Sequence, residues 1–516
     1  MFEWYSVTSP RVLSEALRKL PPEYANLFVA DELANGLSEK VRGLLIETDY
    51  IDKDFRSVFY NFYAKKGDEI KRNCVRLHLF REGPDFDTDT VSLKVAPDVN
   101  ADEDALDDLL SEYYLGFIVL RPTGNLNIGR SVIHPEAIKG AQGAFVTSLH
   151  KVHILGHRLV AEGFPWMTQH SDISVCAHVA CWSILRHYSE RYQKYAELLL
   201  HDITKLAQPF DPGGLIPSEG LNVAHAERIF YAAGTYPMVV VRQPPVPQED
   251  NADNIDASDA DRSKVDAQDT DEAFESQMLA YLESGFPIYA AMPDVTHAVA
   301  IIGVKWKESA SDRLSRATVE DAYQRVEALI ASDDNFLPYV RVGLKEPLTP
   351  TDYSVQHIEA FIVPLPDKIY YPAVGVYGMI DEAPKTLKEL QFPSSDDRIA
   401  RYYITTSAAL HREFLNNSAS YDPQLVQAVT GVPMAQFVWV IEYASSEQWQ
   451  RREVAVRVVL DATASEQDNE PFWLAFDRQK ALVWREKKGP VQRMATLHLR
   501  PAAKPYFRIQ SNLRTY

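Results

Sequence analysis

The sequence predicts an α+β protein of about three domains. Its 516 residues are 46% apolar and 24% charged, as in ordinary globular proteins with sizeable cores. At about 150 residues per domain, this length corresponds to roughly three domains. Segments typical of strands and helices alternate through the first two thirds, and short β-patterns dominate the last third. The sequence contains no repeat of fixed period, which argues against a solenoid.

Residues 1–154 are predicted to form a mixed α/β region of unknown role. Val75–Phe80 and Leu115–Pro122 are rich in β-forming residues and are predicted to be strands. Between them, residues 98–114 have helical spacing behind an acidic first turn, which suits the helix dipole. Gly124 and its neighbours suit a turn into a further strand.

Residues 155–365 are predicted to contain three helices and two adjacent buried strands. The periodicity of apolar residues distinguishes the helices, and the strands are continuous apolar runs. The helices follow Ser174 through to residue 200, span Val223–Gly234 and span Glu272–Gly285, and the strands cover Phe286–Met292 and Ala298–Val304.

The net charge of −19 argues against a nucleic-acid partner, because such binding depends on neutralising phosphates. Ten acidic and two basic residues lie between Glu249 and Glu272, which gives that stretch a net charge of −8. We predict an acidic flexible loop at 244–272. It is either a solvated loop or a docking site for a basic partner.

Pro364 and Pro366 mark the predicted start of a β-rich C-terminal region, residues 366–516. Short β-patterns occur there at 368–378, 436–444, 454–464 and 496–501. The two flanking regions are expected to recognise substrate or a partner protein, or to restrict entry to a groove.

The sequence is expected to belong to a cytoplasmic protein without a membrane partner. The first twenty residues have no basic-then-apolar signal segment, and no apolar run approaches the length of a membrane span. Three cysteines is a low and odd number, which argues against a disulfide framework and favours a reducing compartment.

Cys176 is the candidate nucleophile among the three cysteines. Ser174 is a good N-cap, which places Cys176 in the first turn of a helix, where free amides and the macrodipole favour a thiolate. Cys181 points about 140° away from Cys176. It lies on an apolar stripe with Leu185, and we predict a structural role for it. Cys74, beside a predicted strand, is expected to be a buried small hydrophobe.

Two further segments supply the partners that a thiol nucleophile needs. His297 is a polar residue that opens an apolar strand, and Asp333 and Asp334 precede Asn335. Alone, each segment has an ordinary structural explanation, a strand end or a turn. Together they give the order Cys, His, Asp, in which a base takes the thiol proton and an acid orients the base.

These segments resemble the papain-like cysteine peptidase superfamily over about 200 residues, Gly163–Leu365. The branch they are most similar to is that of the double-glycine leader (bacteriocin-processing) peptidases. The resemblance rests on the following pattern: Gln169, then Cys176-Ala-x-x-Ala, then a helix ending LESGFPIYAAM, then His297-Ala-Val-Ala-Ile-Ile-Gly, then Asp-Asp-Asn and Pro-Tyr.

The resemblance implies a central papain-like domain with a helical lobe and an antiparallel sheet. It implies Cys176 as nucleophile, His297 as base, Asp333 or Asp334 as the orienting acid, and Gln169 as an oxyanion donor. It also implies a strand before the acidic pair, although the spacing of Val319, Tyr323, Val326 and Ile330 fits a helix. The substrate would be a protein or peptide, and neither a metal nor an organic cofactor is implied.

Four alternatives remain open from the sequence. An alignment on Cys181-Trp182 would make Cys181 the nucleophile. A zinc site could use His170, Cys176, His178 and Cys181, although Cys176 and His178 lie about 200° apart on a helix. The domain could also be a binding protein without activity. Finally, an acyl-enzyme could transfer its acyl group to an amine, as in transglutaminase-like relatives.

Overall fold

A computed structural model describes most of the chain. The described residues are 2–66, 69–81, 85–87, 92–94, 103–124, 127–169, 176–207, 221–243, 271–308, 319–366, 369–465, 471–485, 493–500, 506–507 and 512–516. The predicted acidic loop at 244–272 lies outside them, apart from its last two residues. The described residues form a mixed α+β fold built on antiparallel sheets, as predicted.

Helices occur in all three predicted regions. In chain order they are α1 (Pro10–Leu17), α2 (Leu27–Gly36), α3 (Lys53–Asn61), α4 (Glu103–Tyr113), α5 (Cys176–Arg191), α6 (Leu200–Ala207), α7 (Val223–Ala232), α8 (271–283), α9 (Ala373–Thr386), α10 (Ser407–Asn416), α11 (Pro423–Gly431) and α12 (Ser446–Gln450). Within the described ranges, no helix combines the length and the apolar character that crossing a bilayer requires.

Strands also occur in all three regions. In chain order they are β1 (Phe2–Ser6), β2 (Gly43–Tyr50), β3 (Cys74–Phe80), β4 (Asp85–Asp87), β5 (Ser92–Lys94), β6 (Tyr114–Leu120), β7 (Ser131–Ile133), β8 (Ala144–Phe145), β9 (Ser148–Ile154), β10 (His157–Trp166), β11 (Tyr236–Val241), β12 (Ile288–Met292), β13 (His297–Trp306), β14 (Glu320–Asp321), β15 (Val326–Ser332), β16 (Val340–Gly343), β17 (Ala360–Leu365), β18 (Ile399–Thr406), β19 (Phe437–Ala444), β20 (Glu453–Val454), β21 (Val456–Asp461), β22 (Phe472–Phe476), β23 (Lys480–Arg485), β24 (Arg493–His498), β25 (Tyr506–Phe507) and β26 (Arg514–Thr515).

The first sheet has the strand order β1-β2-β3-β6-β7-β10-β9, with every neighbouring pair antiparallel. Strands β3 and β6 confirm the two strands predicted in the N-terminal region, and α4 confirms the helix between them. Strand β10 belongs to this sheet and ends at Trp166, which brings the chain close to the start of α5.

The second sheet is the one that positions the candidate site. Its order is β11-β17-β12-β13-β15-β16, again antiparallel throughout. Strands β12 and β13 confirm the predicted adjacent pair. Residues 326–332 form strand β15, so the strand before the acidic pair, and not the alternative helix, is present. Helix α5 packs against β12 and β13, and α7 packs against β11 and β17.

Helix α5 ends at Arg191, so the prediction of a helix running through residue 200 is wrong. Arg186 holds the chain that follows the helix. Its buried guanidinium donates to the carbonyl of Leu198 and to the carboxylate of Asp54. The Asp54 carboxylate in turn accepts from the amide of Leu200. These bonds turn the chain back along the helix before α6 begins.

The third sheet, in the C-terminal region, has the order β14-β18-β19-β21-β22-β23-β24. It contains the strands predicted near 436–444, 454–464 and 496–501. The β-pattern predicted at 368–378 is wrong, because α9 begins at Ala373 directly after Pro372. The buried residues of α9 are Ala373, Val376, Ile380 and Ala383, which are spaced by 3, 4 and 3 as on one face of a helix. The valines and tyrosines between them make this helical spacing hard to recognise in the sequence.

Strand pairing crosses both predicted domain boundaries, near 154 and 366. Strand β8 from the first region pairs with β13, and β26 pairs with β8. Strand β14 from the middle region pairs in parallel with β18. One contiguous apolar core includes buried side chains from all three regions, and a second, smaller one lies in the C-terminal region.

Candidate active site

Cys176 is the first residue of α5 and is partly exposed, whereas Cys74 and Cys181 are fully buried. Burial raises the pKa of the Cys181 thiol, and burial likewise raises the pKa of Cys74. A buried neutral thiol is a poor nucleophile. The geometry therefore favours Cys176 over the alternative alignment on Cys181-Trp182.

The anchoring of α5 explains why Cys181 and Trp182 face the interior. The indole Nε1 of Trp182 donates to Oδ1 of Asp54 over 2.9 Å. One turn further on, Nη2 of Arg186 donates to Oδ2 of Asp54 over 3.0 Å. Both side chains are buried, and these bonds attach the helix to α3 of the first region.

His297 lies at the start of β13, as the sequence indicates, and a short turn after β12 positions it. Pro293–Val295 form one 3₁₀ turn, and Thr296 has a φ of 50°. That left-handed conformation is unfavourable for a β-branched residue. Met292 and His297 are directly paired across the two strands, so the imidazole is fixed at a sheet end.

Asp333 follows β15 and forms a hydrogen bond with His297. The imidazole Nε2 donates to Oδ2 of Asp333 over 3.1 Å. The same Oδ2 accepts from the hydroxyl of Tyr353 over 2.5 Å, and Oδ1 accepts from the amide of Asn335 over 2.8 Å. The backbone carbonyl of Asp333 accepts from the indole Nε1 of Trp166 over 2.6 Å. Four donors thus hold this one residue.

The pKa of His297 indicates how its ring is shared between Asp333 and Cys176. Burial lowers this pKa, but the hydrogen bonds with Asp333 and with the Cys176 thiol outweigh burial and raise it from 6.5 to about 10. Because Nε2 is occupied by Asp333, Nδ1 is the ring nitrogen left for the thiol. Cys176 is thus near enough to the imidazole to affect its pKa, while Asp333 is hydrogen-bonded to it.

Asp334 lies in the same cluster, but among the described residues no hydrogen bond joins its side chain to His297. Its side chain is buried, and its Oδ2 has no hydrogen-bond partner among the residues that the structure describes. Burial and the charge of Asp333 raise the pKa of Asp334 from 3.8 to about 7, while His297 opposes the shift. Of the two acidic candidates, Asp333 is the one that contacts the histidine.

Gln169 ends the described segment that follows β10, and it is half-buried. Its carbonyl accepts from Nη2 of Arg121 over 3.1 Å, which holds the backbone at this point. Residues 170–175, which include the predicted N-cap Ser174, lie outside the described residues. The role of the Gln169 side chain as an oxyanion donor therefore stays a prediction.

In the described part of the chain, one cluster has the composition of a metal site. One ligand atom from each of His297, Asp333 and Asp334 lies within 4.8 Å of the others. In the alternative zinc set, His178 is buried on a helix that stays regular from Cys176 to Arg191, and His170 lies outside the described residues. Cys176 and His178 point to different sides of that helix.

Sequence reasoning missed two residues of the site, Tyr353 and Trp166. Trp166 lies only three residues before Gln169, in a segment that carries part of the resemblance, and this proximity was the available signal. Tyr353 lies twenty residues after Asp333, in an irregular segment, and no sequence pattern distinguishes it.

No protein-family model, curated protein or solved structure matches this chain. The site must therefore be interpreted from its own geometry.

Proposed function

We propose that the protein is a papain-like cysteine peptidase that hydrolyses a peptide or isopeptide bond. The observation that carries the proposal is the hydrogen bond between His297 and Asp333 beside Cys176, with the three residues positioned by α5, by β13 and by the end of β15. A thiol at a helix start, an imidazole between it and a carboxylate, and a mostly buried setting are what nucleophilic thiol catalysis requires. The proposed location is the cytoplasm.

In the proposed mechanism, the sulfur of Cys176 attacks as the thiolate, and His297 is the base that holds its proton. The thiolate attacks the scissile carbonyl carbon, and the tetrahedral intermediate collapses as His297 gives its proton to the leaving amine. The neutral imidazole then takes a proton from water, whose oxygen attacks the thioester. Collapse of the second intermediate releases the acid and the sulfur of Cys176, and His297 holds the proton for the next cycle.

Asp333 keeps the imidazole in the required orientation throughout this cycle. Its carboxylate stabilises the imidazolium, which raises the pKa of His297, and its bond to Nε2 leaves Nδ1 as the nitrogen available to the thiol. The oxyanion would accept hydrogen bonds from the Cys176 amide and the Gln169 side chain. At comparable sites one such donor contributes about 3 kcal/mol.

A thiol-reactive epoxide tests the proposal directly. We expect it to modify Cys176 alone, with mass spectrometry locating the adduct, and we expect Cys181 to stay unmodified. Cys181→Ala is the matched control, since it removes a thiol from the same helix without touching His297. Absence of labelling, or equal labelling of both cysteines, would instead support a binding protein without activity.

The products identify the acyl acceptor. A substrate trapped on the Cys176→Ala variant from cell lysate supplies the natural sequence. Incubating that substrate with the native protein, with and without a primary amine, then distinguishes hydrolysis from acyl transfer. We expect the free acid as the main product. An amide product would assign the transglutaminase-like reaction.

A further inference from the structure

A second hydrogen-bond donor shares the carboxylate oxygen to which His297 is bonded. The hydroxyl of Tyr353 donates to Oδ2 of Asp333 over 2.5 Å, beside the 3.1 Å bond from His297 to that same atom. Tyr353 is 1% exposed. Burial, followed by the charge and hydrogen bond of Asp333, raises the pKa of Tyr353, so the hydroxyl keeps its proton and remains a donor.

The ring of Tyr353 also covers the imidazole. The two ring centroids lie 5.6 Å apart, with an angle of 56° between their planes. The aromatic ring therefore occupies space beside the His297–Asp333 bond that water would otherwise fill.

The backbone around Tyr353 is fixed independently of Asp333. Its carbonyl accepts from the hydroxyl of Thr351 over 3.3 Å. The next residues form a 3₁₀ turn, Val355–His357, stabilised by reciprocal bonds between Ser354 and His357. That turn packs against the Pro293–Val295 turn that delivers His297. The segment that follows Tyr353 thus packs against the turn that precedes His297.

We propose that Tyr353 is a positioning residue for the Cys176–His297–Asp333 system, acting through its hydroxyl on Asp333. This inference rests on the proposed function. The hydroxyl stabilises the ionised carboxylate and fixes its rotation, so that Oδ2 stays aligned with Nε2 of His297. Without the hydroxyl, the Asp333 carboxylate loses one of the donors that orient it, and its bond to the His297 imidazolium is less well aligned.

The test compares Tyr353→Phe with the native protein. The variant keeps the ring and removes only the donor. We expect kcat to fall about tenfold with KM changed less than about twofold, since a hydrogen bond to a charged group is lost at a group that acts in the transition state. We also expect the pH profile of Cys176 alkylation by iodoacetamide to differ from that of the native protein.

Tyr339→Phe is the matched control. Tyr339 is a buried tyrosine whose hydroxyl donates to the carbonyl of Ile133 and accepts from the amide of Phe164, without contacting His297 or Asp333. It should cost stability and leave both kcat and the alkylation profile unchanged. If Tyr353→Phe behaves in the same way as this control, the positioning role is wrong.

A second substitution keeps the test decisive if Tyr353→Phe does not fold. Incorporation of 3-fluorotyrosine at position 353 keeps the shape of the ring and makes the hydroxyl a stronger donor. The alkylation profile should then differ from that of the native protein, and an unchanged profile would contradict the inference.

Alkylation needs no peptide substrate, so the two proposals can fail separately. An alkylation rate in the native protein that follows an ordinary thiol titration contradicts the proposed peptidase. An alkylation profile that departs from that of an ordinary thiol, but is the same in the native protein and in the Tyr353→Phe variant, contradicts only the role of Tyr353.

Discussion

The indole of Trp166 donates to the backbone carbonyl of Asp333 over 2.6 Å, and it thereby connects strand β10 of the first sheet to the acid that is bonded to His297. Both residues are buried. The Trp166→Phe substitution should leave this carbonyl without a partner and cost about 2 kcal/mol of unfolding free energy. Urea unfolding measures the loss, and a stability equal to that of the native protein would show that the bond contributes nothing.

The two cysteines of α5 should respond differently to replacement by alanine. Cys176→Ala should abolish turnover and leave the unfolding free energy within about 0.5 kcal/mol of the native value, because the thiol is partly exposed. Cys181→Ala should keep turnover and lose about 1 kcal/mol, because it leaves a small void in the core. A Cys181→Ala protein that is stable but inactive, beside an active Cys176→Ala protein, would identify the other cysteine as nucleophile.

The pH profile of hydrolysis should have its alkaline limb far above the ordinary histidine range. The imidazolium must donate its proton to the leaving amine, so activity falls as pH rises through the His297 pKa, which is raised to about 10. In Asp333→Asn the hydrogen bond and the charge that raise this pKa are altered, so the limb should move down toward 6.5 and kcat should fall by about 100-fold or more. An alkaline limb at the same pH in Asp333→Asn as in the native protein would show that Asp333 has no role in the mechanism.

Asp334→Asn should stabilise the protein at alkaline pH. The pKa of Asp334 is raised from 3.8 to about 7 in the folded state, so folding favours its protonated form. Stability from this group is fully present below pH 3.8 and is lost as pH rises through 7. Asparagine does not ionise, so the variant does not lose this stability as pH rises. At pH 8.5 it should be more stable than the native protein by about 2 kcal/mol. Equal stabilities at pH 8.5, measured by urea unfolding, would contradict this assignment.

Asp54→Asn tests the anchor of α5. The substitution leaves the buried guanidinium of Arg186 without the charge of Asp54, and Glu197 is its remaining acidic partner. Breaking a buried ion pair costs about 3 kcal/mol. We expect that loss in urea unfolding, with kcat largely kept at temperatures where the protein is folded. A loss of activity without a loss of stability would place Asp54 in the site itself.

The pattern of elements around the site could be predicted from the sequence because local signals were strong there. Continuous apolar runs identified β12 and β13, and the polar residue at the start of the second run identified His297. The candidates Cys176, His297 and Asp333 could be singled out because residue type, order and element position agreed. Which acid contacts the histidine could not be predicted, since two adjacent residues in a turn differ only in the direction of their side chains.

The remaining features depend on contacts between residues distant in sequence. The chain after α5 is held through Asp54, which lies 132 residues from Arg186. Tyr353 and Trp166 reach Asp333 across 20 and 167 residues. Helix α9 was mistaken for a strand because β-branched and aromatic residues raise the local preference for strands, and tertiary burial of its apolar stripe overrides that preference.

Strands β8 and β14 limit how this chain can be cut for study. Excising residues 155–365 would remove β8 from the side of β13, and the excised piece would carry β14 without β18. Both exposed edges would present unpaired amides and carbonyls, which template aggregation. A fragment bounded at those positions should therefore accumulate in inclusion bodies, whereas expression of the entire polypeptide supplies each edge with its neighbour.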